Sequence, residues 1–471
     1  MKKINNNCLN LRKMYTINCG GMRITKIHML NFKGFEDKEI QFNGNLTVAI
    51  GNNTAGKTTL LQAVQIGLGA YLQSLRSLRG GKAFRRNFAE SDRFLRYDSE
   101  KKDYFPNVEL PRISIEAEFT ETYGNGNHIE LATRPIHWYR EFTKAGTTTH
   151  NSVCAGELIE VVGKMEKQRE TIDAASVLPV VLSFGTNRID AQVKTVRKTK
   201  ERQQRIEKAY KAALADNRVD FASALDWLRR YDKNIRDERE FEGTRDAFYE
   251  ALTKAIPSLS EIDIDNGEIE AVVSIKGKKP ERHHYSYMSD GLKSMINIVS
   301  EIAYRCIELN GFLGKDAIRK TPGVVLIDEV DLYLHPKWQQ HVLADMKEAF
   351  PNIQFIVTTH SPFIVQSLRE GELISFDENT SIEGAPYKEG LEDIASGRMG
   401  MVNEIRSKRY NEMVATATAY FKELDEGDPK KAKELKDKLN EIEAEFSDDP
   451  AYVALIKMEY NSKSVKYETG K

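Results

Sequence analysis

The sequence is poor in the features that mark secreted, redox-active or membrane-spanning proteins. It has 4 cysteines in 471 residues, and they lie far apart without a CxxC pair. This spacing argues against a disulfide framework or a zinc site and favours a reducing compartment. No apolar run approaches the roughly 18 residues that a membrane helix needs, and the Asn-rich N-terminus lacks a secretory apolar core. We therefore expect a cytoplasmic protein without membrane contacts.

An excess of charge of one sign is also absent. Lys plus Arg number 69 and Asp plus Glu number 70, so the formal net charge is −1. This balance excludes the strongly basic signature of an obligate nucleic-acid coat. With 40% hydrophobic residues, the chain can bury at least one substantial core, and its length suits roughly two to four domain-sized units.

The order of apolar patterns along the chain predicts an α/β fold. Short strands lead into a Gly-bounded loop and a helix at residues 57–72, and buried apolar runs follow at 178–184, 323–327 and 355–359. A helix is predicted around residues 336–350, between the last two runs. Strands that alternate with helices in this way are typical of a mostly parallel sheet. Residues 111–143 instead have the pattern of antiparallel strands, at 112–120, 128–134 and 136–143.

The loop GNNTAGKT, at residues 51–58, matches the pattern G-x-x-x-x-G-K-[ST] between a strand and a helix. In this context backbone N–H groups point at phosphate oxygens, and the helix dipole adds to the attraction. Lys57 would reach the β- and γ-phosphates of ATP, and the Thr58 hydroxyl would ligate Mg²⁺. A chance Gly-rich turn would match about once in a hundred chains of this length. The predicted nucleotide contacts are Asn52, Asn53, Thr54, Ala55, Gly56, Lys57, Thr58 and Thr59.

Two later strands end in polar groups that complete this site. GVVLIDE ends in Asp328 and Glu329, and FIVTT runs directly into His360. Buried carboxylates at a strand end are costly without partners, so we expect Asp328 to join Thr58 as a metal ligand and Glu329 to polarise the attacking water. His360 would donate to the γ-phosphate. A helix N-cap pair is the alternative for the two carboxylates. Lys57, Glu329 and His360 are thus the catalytic candidates.

A second anion-binding helix start lies at Ser289, Asp290 and Gly291, with Lys293 behind it. Glycine-led helix N-termini bind anions, but the crevice already has its own phosphate loop. We therefore expect these residues to bind a second nucleotide.

In this order, the motifs resemble those of the ABC-type ATPase heads of the SMC, RecF and OLD group, over most of residues 22–376. The resemblance implies a P-loop head with a mixed sheet and an antiparallel β subdomain. It also implies a homodimer in which two heads sandwich two ATPs and Ser289 and Gly291 act on the partner's nucleotide. Asp290 stands where transporters have Gly, a form similar to that of the soluble OLD-like branch.

Three further stretches carry the resemblance. NFKGF, at residues 31–35, is similar to the segment at which such heads begin, which places Lys33 near the nucleotide. LSFGTNR, at 182–188, occupies the place of the glutamine-bearing loop, with Asn187 or Arg188 as its candidate residue. LYLHP, at 332–336, replaces the usual D-loop in a form typical of OLD-like ATPases, and we assign no catalytic role to its His335.

The C-terminal region resembles that of the PtuA family, the ATPases of bacterial Septu antiphage systems and of their retron-linked versions. GLEDIASGRMGM at residues 390–401 carries this likeness. Outside the C-terminal region, DFASALDWLRRYD at 220–232 is similar to the middle helical insert of the same family. The resemblance implies control of an HNH-type, PtuB-like nuclease, with the apolar cluster at 452–460 as the expected contact. A solvated helical bundle that closes the ATPase core is an equally compatible reading of this region.

Together these patterns predict five segments. They are an N-terminal tail at 1–21, an ATPase lobe with the P-loop and antiparallel β subdomain at 22–187, a helical insert at 188–256, an ATPase lobe with the signature, Asp-Glu strand end and switch histidine at 257–387, and a helical partner-docking region at 388–471.

Two other functions remain open from the residues. A RecF-like or SMC-like DNA repair ATPase would use the basic clusters at 75–88 and 194–205 to contact nucleic acid, although in a neutral chain solvated or acid-paired surfaces are the better expectation for each. In an antiphage complex, contact with nucleic acid would come mainly through the partner. The other alternative is an ATP-sensing scaffold with little turnover.

Overall fold

The computed structural model describes most of the chain between residues 21 and 443. The predicted tail up to residue 20, most of the basic cluster at 194–205 and the apolar cluster at 452–460 lie outside the described residues. The described ranges are 21–78, 84–123, 130–170, 176–188, 205–214, 219–265, 267–274, 277–377, 380, 382–401, 408–426 and 429–443.

Strands and helices alternate over much of the chain. The strands are β1 (Arg23–Phe32), β2 (Phe35–Gln41), β3 (Leu46–Ile50), β4 (Leu95–Asp98), β5 (Asp103–Pro106), β6 (Arg112–Tyr123), β7 (Glu130–Glu141), β8 (Val180–Phe184), β9 (Leu259–Asp265), β10 (Glu268–Val273), β11 (Glu281–His284), β12 (Gly323–Ile327), β13 (Ile353–Thr358) and β14 (Leu373–Ser375). The helices are α1 (Lys57–Ser74), α2 (Ser152–Glu170), α3 (Arg205–Tyr210), α4 (Phe221–Arg236), α5 (Thr244–Ala255), α6 (Asp290–Asn310), α7 (Ala317–Lys320), α8 (Pro336–Gln339), α9 (Val342–Ala349), α10 (Pro362–Gln366), α11 (Leu391–Asp393), α12 (Lys408–Glu426) and α13 (Pro429–Glu443).

A parallel sheet in the order β14-β3-β13-β12-β8 positions the candidate site. Every residue of β3, β8, β12 and β13 is buried, as expected for strands covered on both faces. Because the strands are parallel, their carboxyl ends meet at one edge, where α/β proteins bind ligands. We call it the catalytic edge: the ends of β3, β13, β12 and β8 with the loops that follow them.

A separate antiparallel sheet has the order β2-β1-β6-β7. The two strands predicted around residues 128–134 and 136–143 are one continuous strand, β7, with Pro135 inside it. Proline cannot donate to a ladder, but β7 is an edge strand and tolerates it. The sheet packs closely on α1, because Trp138 Nε1 donates to the Gly67 carbonyl at 2.9 Å and a Cβ at Gly67 would lie 2.2 Å from Ile115 Cδ1.

Several elements have no counterpart in the sequence-based prediction. They include the hairpin of β4 and β5, the short strand β11 and the helix α2, whose buried residues include Leu158 and Val161. The helix expected after residue 336 is divided into α8 and α9.

The described part of the predicted insert contains α3, α4 and α5. Asp220 caps α4 by accepting from the Ser223 N–H at 3.2 Å, which is a favoured N-cap arrangement. The helix then buries Phe221, Leu225 and Leu228, which share one face at helical spacing.

The chain divides into two compact units. The first comprises residues 1–378 and 382–389, and the second comprises residues 379–381 and 390–471. In the second unit, Met413, Ala417 and Tyr420 of α12 are buried and recur at the spacing of one helix face. Within the described ranges, no helix combines the length and apolar character needed to cross a membrane.

Candidate functional site

The loop between β3 and α1 has an unusual backbone that its glycines permit. The φ angles of Gly51, Thr54 and Gly56 are 151°, 73° and 109°, in the region that favours glycine. A Cβ at Gly56 would also lie 2.2 Å from Phe35 Cζ. Asn52, Asn53 and Thr54 are exposed, whereas Ala55, Gly56 and Thr59 are half-buried.

Lys57 lies over this loop. Its Nζ donates to the carbonyl oxygens of Gly51 at 2.5 Å and Asn52 at 3.0 Å. Burial lowers the pKa of Lys57, and the charges of Asp377, Asp328 and Glu329 oppose that shift. Asp377, which the sequence reasoning missed, also accepts from the Asn52 N–H at 3.0 and 3.1 Å.

The structure brings together the two predicted metal ligands. Thr58 Oγ1 donates to Asp328 Oδ2 at 3.0 Å, although the residues are 270 positions apart. A hydroxyl and a carboxylate are the oxygen ligands that Mg²⁺ prefers. The residues present therefore fit the predicted ion.

Thr358 is a site residue that the sequence reasoning missed. Its Oγ1 donates to Asp328 Oδ1 at 2.6 Å and accepts from the Glu329 N–H at 2.8 Å. The residue is fully buried at the end of β13, the strand between β3 and β12. A threonine in an apolar, buried strand needs a hydrogen-bond partner, and that was the available signal.

Arg188 holds the main chain of the two carboxylate residues. Its Nη2 donates to the carbonyl oxygens of Asp328 and Glu329, the latter at 2.8 Å. Glu329 has a φ of 49°, which is uncommon outside glycine. Burial lowers the pKa of Arg188 to about 10, and Asp328, Asp331 and Glu329 oppose the shift, so it stays charged at neutral pH. Of the two candidates at 187 and 188, Asn187 is exposed.

His360 and Lys33 occupy different surroundings. His360 follows β13 at the catalytic edge, with an exposed side chain. Lys33 Nζ donates to Gln62 Oε1 at 2.5 Å and lies 3.5 Å from Asp92 Oδ1. Gln62 lies one turn along α1 from Thr58. Their contacts with the nucleotide stay predictions. His335, by contrast, caps α8, since its Nδ1 accepts from the Lys337 N–H at 3.2 Å.

The signature residues begin α6. Ser289 is its N-cap, but its side chain makes no capping hydrogen bond, and both Ser289 and Asp290 are exposed. Within the described ranges, no hydrogen bond joins Ser289, Asp290 or Gly291 to the P-loop. A Cβ at Gly291 would lie 2.6 Å from the Tyr333 carbonyl oxygen. The start of α6 therefore packs against the loop that follows Glu329.

We expect Gly291→Ala to destabilise the protein. Overpacking against the Tyr333 carbonyl costs about 1–3 kcal/mol, offset in part by the gain of about 1 kcal/mol from helix propensity. Gly163→Ala is the control because Gly163 lies in α2 with nothing within 4 Å of an added Cβ. Thermal unfolding should show a loss at 291 and none at 163. An equal or greater stability of Gly291→Ala would contradict the close approach.

A comparison with protein families identifies the class. The family model described as an AAA domain matches residues 26–281, which is more than half of the chain. The protein therefore belongs to this AAA-domain family.

Among individual proteins, the chain is similar to the "Retron Ec83 probable ATPase" of Escherichia coli, with 25% identity over 74% of this chain and 70% of that protein. It is also similar to the Septu protein PtuA of Bacillus thuringiensis, with 35% identity over 33% of this chain and 41% of that protein. A third similarity is to the chromosome partition protein Smc of Clostridium kluyveri, with 28% identity over 37% of this chain and 15% of that protein.

These similarities confirm the predicted resemblance to the SMC and RecF group and to PtuA. The architecture described above confirms the predicted α/β class with an antiparallel sheet and helical regions, but the sheet predicted as mixed is parallel across its five described strands. The chain is thus an AAA-domain protein with similarity to the SMC, retron and PtuA proteins.

Proposed function

We propose that the protein binds and hydrolyses ATP as the regulatory subunit of a Septu-like bacterial antiphage complex. The observation that carries the proposal is the convergence of Lys57, Thr58, Asp328 and Glu329 at the catalytic edge. The loop N–H groups and Lys57 bind the β- and γ-phosphates. Thr58 and Asp328 hold Mg²⁺, which neutralises phosphate charge when bound.

Glu329 is the proposed general base. Glu329 is the second residue after β12, and its main chain is fixed by Arg188 on the carbonyl side and by Thr358 on the N–H side. A carboxylate on a main chain held in this way can orient a water and accept its proton. His360 would donate to the γ-phosphate from the end of the neighbouring strand.

The active form we propose is a homodimer closed around two ATPs. The exposed Ser289, with a side chain not used in capping, supports this reading because its hydroxyl and the start of α6 are available to an anion. Ser289 and Gly291 of one copy would then contact the nucleotide held by the other copy.

The antiphage role is supported by the similarity to a retron ATPase and to a Septu protein. We propose that the closed and open states of the dimer control an HNH-type, PtuB-like nuclease. Residues from 388 onwards are the proposed docking region.

Co-purification tests whether the protein associates with an HNH nuclease. We expect a tagged HNH nuclease encoded beside this gene to retain the full-length protein through affinity and size-exclusion steps. ATP turnover of the retained complex should be lost in Lys57→Ala, which serves as the control for contaminating ATPases. Absence of any such neighbouring gene, or of association at micromolar concentration, would contradict the nuclease-control proposal and leave the ATPase proposal standing.

Two described arginines in or near the first basic cluster do not favour the DNA repair alternative. Arg86 pairs with Asp92 at 2.8 Å, and Arg93 pairs with Glu90 at 2.7 Å. Acid-paired arginines contribute little to phosphate binding. ATP hydrolysis stimulated by DNA, with a steep salt dependence, would reverse this judgement.

A further inference from the structure

Arg188 links two parts of the protein that are distant in sequence. On one side, its guanidinium donates to the carbonyl oxygens of Asp328 and Glu329. On the other side, its own carbonyl oxygen accepts from Asn297 Nδ2 at 2.9 Å. Asn297 is fully buried and lies in α6, two turns after Ser289.

The link continues to the segment just before Ser289. Asn297 Oδ1 accepts from the Tyr285 hydroxyl at 2.8 Å, so both ends of the amide are engaged. The Tyr285 ring stacks on Phe221 of α4, with ring centroids 4.9 Å apart. Tyr285 therefore connects Asn297 to the residues that lead into α6.

The guanidinium of Arg188 is well suited to holding a main-chain segment in place. A guanidinium presents several donors in one rigid plane, whereas a lysine ammonium is a single point on a flexible stem. Hydrogen bonds from a charged donor are stronger than neutral ones. Because Glu329 has an uncommon backbone conformation, its main chain needs such contacts to keep this conformation.

We infer that Arg188 is a positioning residue that fixes the main chain of Glu329 and, through Asn297 and Tyr285, ties it to the signature helix α6. This inference rests on the proposed ATP hydrolysis and names a regulator of that same site. When Ser289 contacts the second nucleotide, a shift of α6 then moves Arg188 and the main chain that it contacts. Glu329 is therefore aligned for hydrolysis only in the closed dimer.

Arg188→Lys tests the positioning role of Arg188 directly. Displacing a catalytic group by about 1 Å costs about 100-fold in rate, so we expect kcat to fall about 10- to 100-fold while the KM and Kd for ATP stay unchanged. Arg140→Lys is the matched control, since Arg140 is also buried and donates to a main-chain carbonyl, that of Ile66, at 2.9 Å. Both variants should lose thermal stability, and only Arg188→Lys should lose kcat.

Three outcomes would overturn the inference. One is an Arg188→Lys enzyme that turns over ATP like Arg140→Lys. Another is loss of ATP binding together with turnover, because Arg188 would then support the phosphate loop rather than Glu329. A wild-type protein that binds ATP without turning it over contradicts the proposed hydrolysis itself, and the inference falls with it.

Tyr285→Phe provides a variant that keeps the ring stacking and so is expected to fold. We expect kcat to fall about threefold to tenfold, the scale of losing one hydrogen bond, without a change in the Kd for ATP. In the double variant with Arg188→Lys, the loss should not exceed that of Arg188→Lys alone, since residues acting as one unit are non-additive. Multiplying losses would show that Tyr285 and Arg188 act independently and would overturn the link.

Discussion

Glu329→Gln is expected to lower the rate of ATP hydrolysis by about 100- to 1,000-fold, within the range of general-base and electrostatic effects. The amide has the same size as the carboxylate but cannot accept a proton from water. The contacts that fix Glu329 involve its main-chain carbonyl and N–H, so the substitution leaves them in place. ATP binding should therefore be preserved.

Trapping of the closed dimer is the second readout of this variant. With ATP and Mg²⁺, Glu329→Gln should accumulate as a dimer in size-exclusion chromatography, whereas the wild type should return to its starting state as ATP is consumed. Glu348→Gln is the control because Glu348 lies exposed on α9, and it should hydrolyse ATP normally. Unchanged behaviour of Glu329→Gln would favour an ATP-sensing scaffold instead.

Ser289→Arg is expected to abolish hydrolysis while the isolated protein still binds ATP. Ser289 is exposed and its side chain makes no capping hydrogen bond, so an arginine there costs little folding free energy. Its bulk would prevent closure on the partner's nucleotide. The Kd for ATP measured at low protein concentration should stay within about twofold, since an exposed substitution rarely perturbs a distant site.

Mixing two inactive variants tests whether the site is shared between copies. Lys57→Ala lacks a working phosphate loop but retains its signature, and Ser289→Arg has the reverse defect. A mixed dimer contains one intact composite site, so random mixing of equal amounts should restore about a quarter of the wild-type rate in a symmetric dimer. Normal hydrolysis by Ser289→Arg alone, or a mixture no more active than its parents, would contradict the shared site.

The site residues that lie in contiguous motifs were predicted from the sequence, and they lie at the catalytic edge. The contacts that depend on strand order were not predicted. The phosphate loop and the Asp-Glu strand end are contiguous motifs, so their residues were identifiable without the fold. Thr358 meets Asp328 only because β13 pairs with β12, with Val357 opposite Ile327. The sequence alone does not indicate that β13 pairs with β12.

Arg188 shows the same limit more sharply. The segment after β8 was recognised by its position in the motif order, but a buried arginine that contacts main-chain carbonyls 140 and 141 residues away leaves no periodic signal. The single strand β7 was divided in the prediction because Pro135 is a strand breaker everywhere except at an edge, and edges are defined only by the complete sheet.

The position of β13 has a consequence for biosynthesis. The strand that separates the phosphate-loop strand β3 from β12 is made after both of them, and it carries Thr358. Pairings of such long sequence separation form late. A nascent chain that ends before Ile353 therefore contains the phosphate loop, Asp328 and Glu329 but lacks the strand that holds them in register. The proposed ATPase activity should then appear only once nearly the whole first unit has been synthesised.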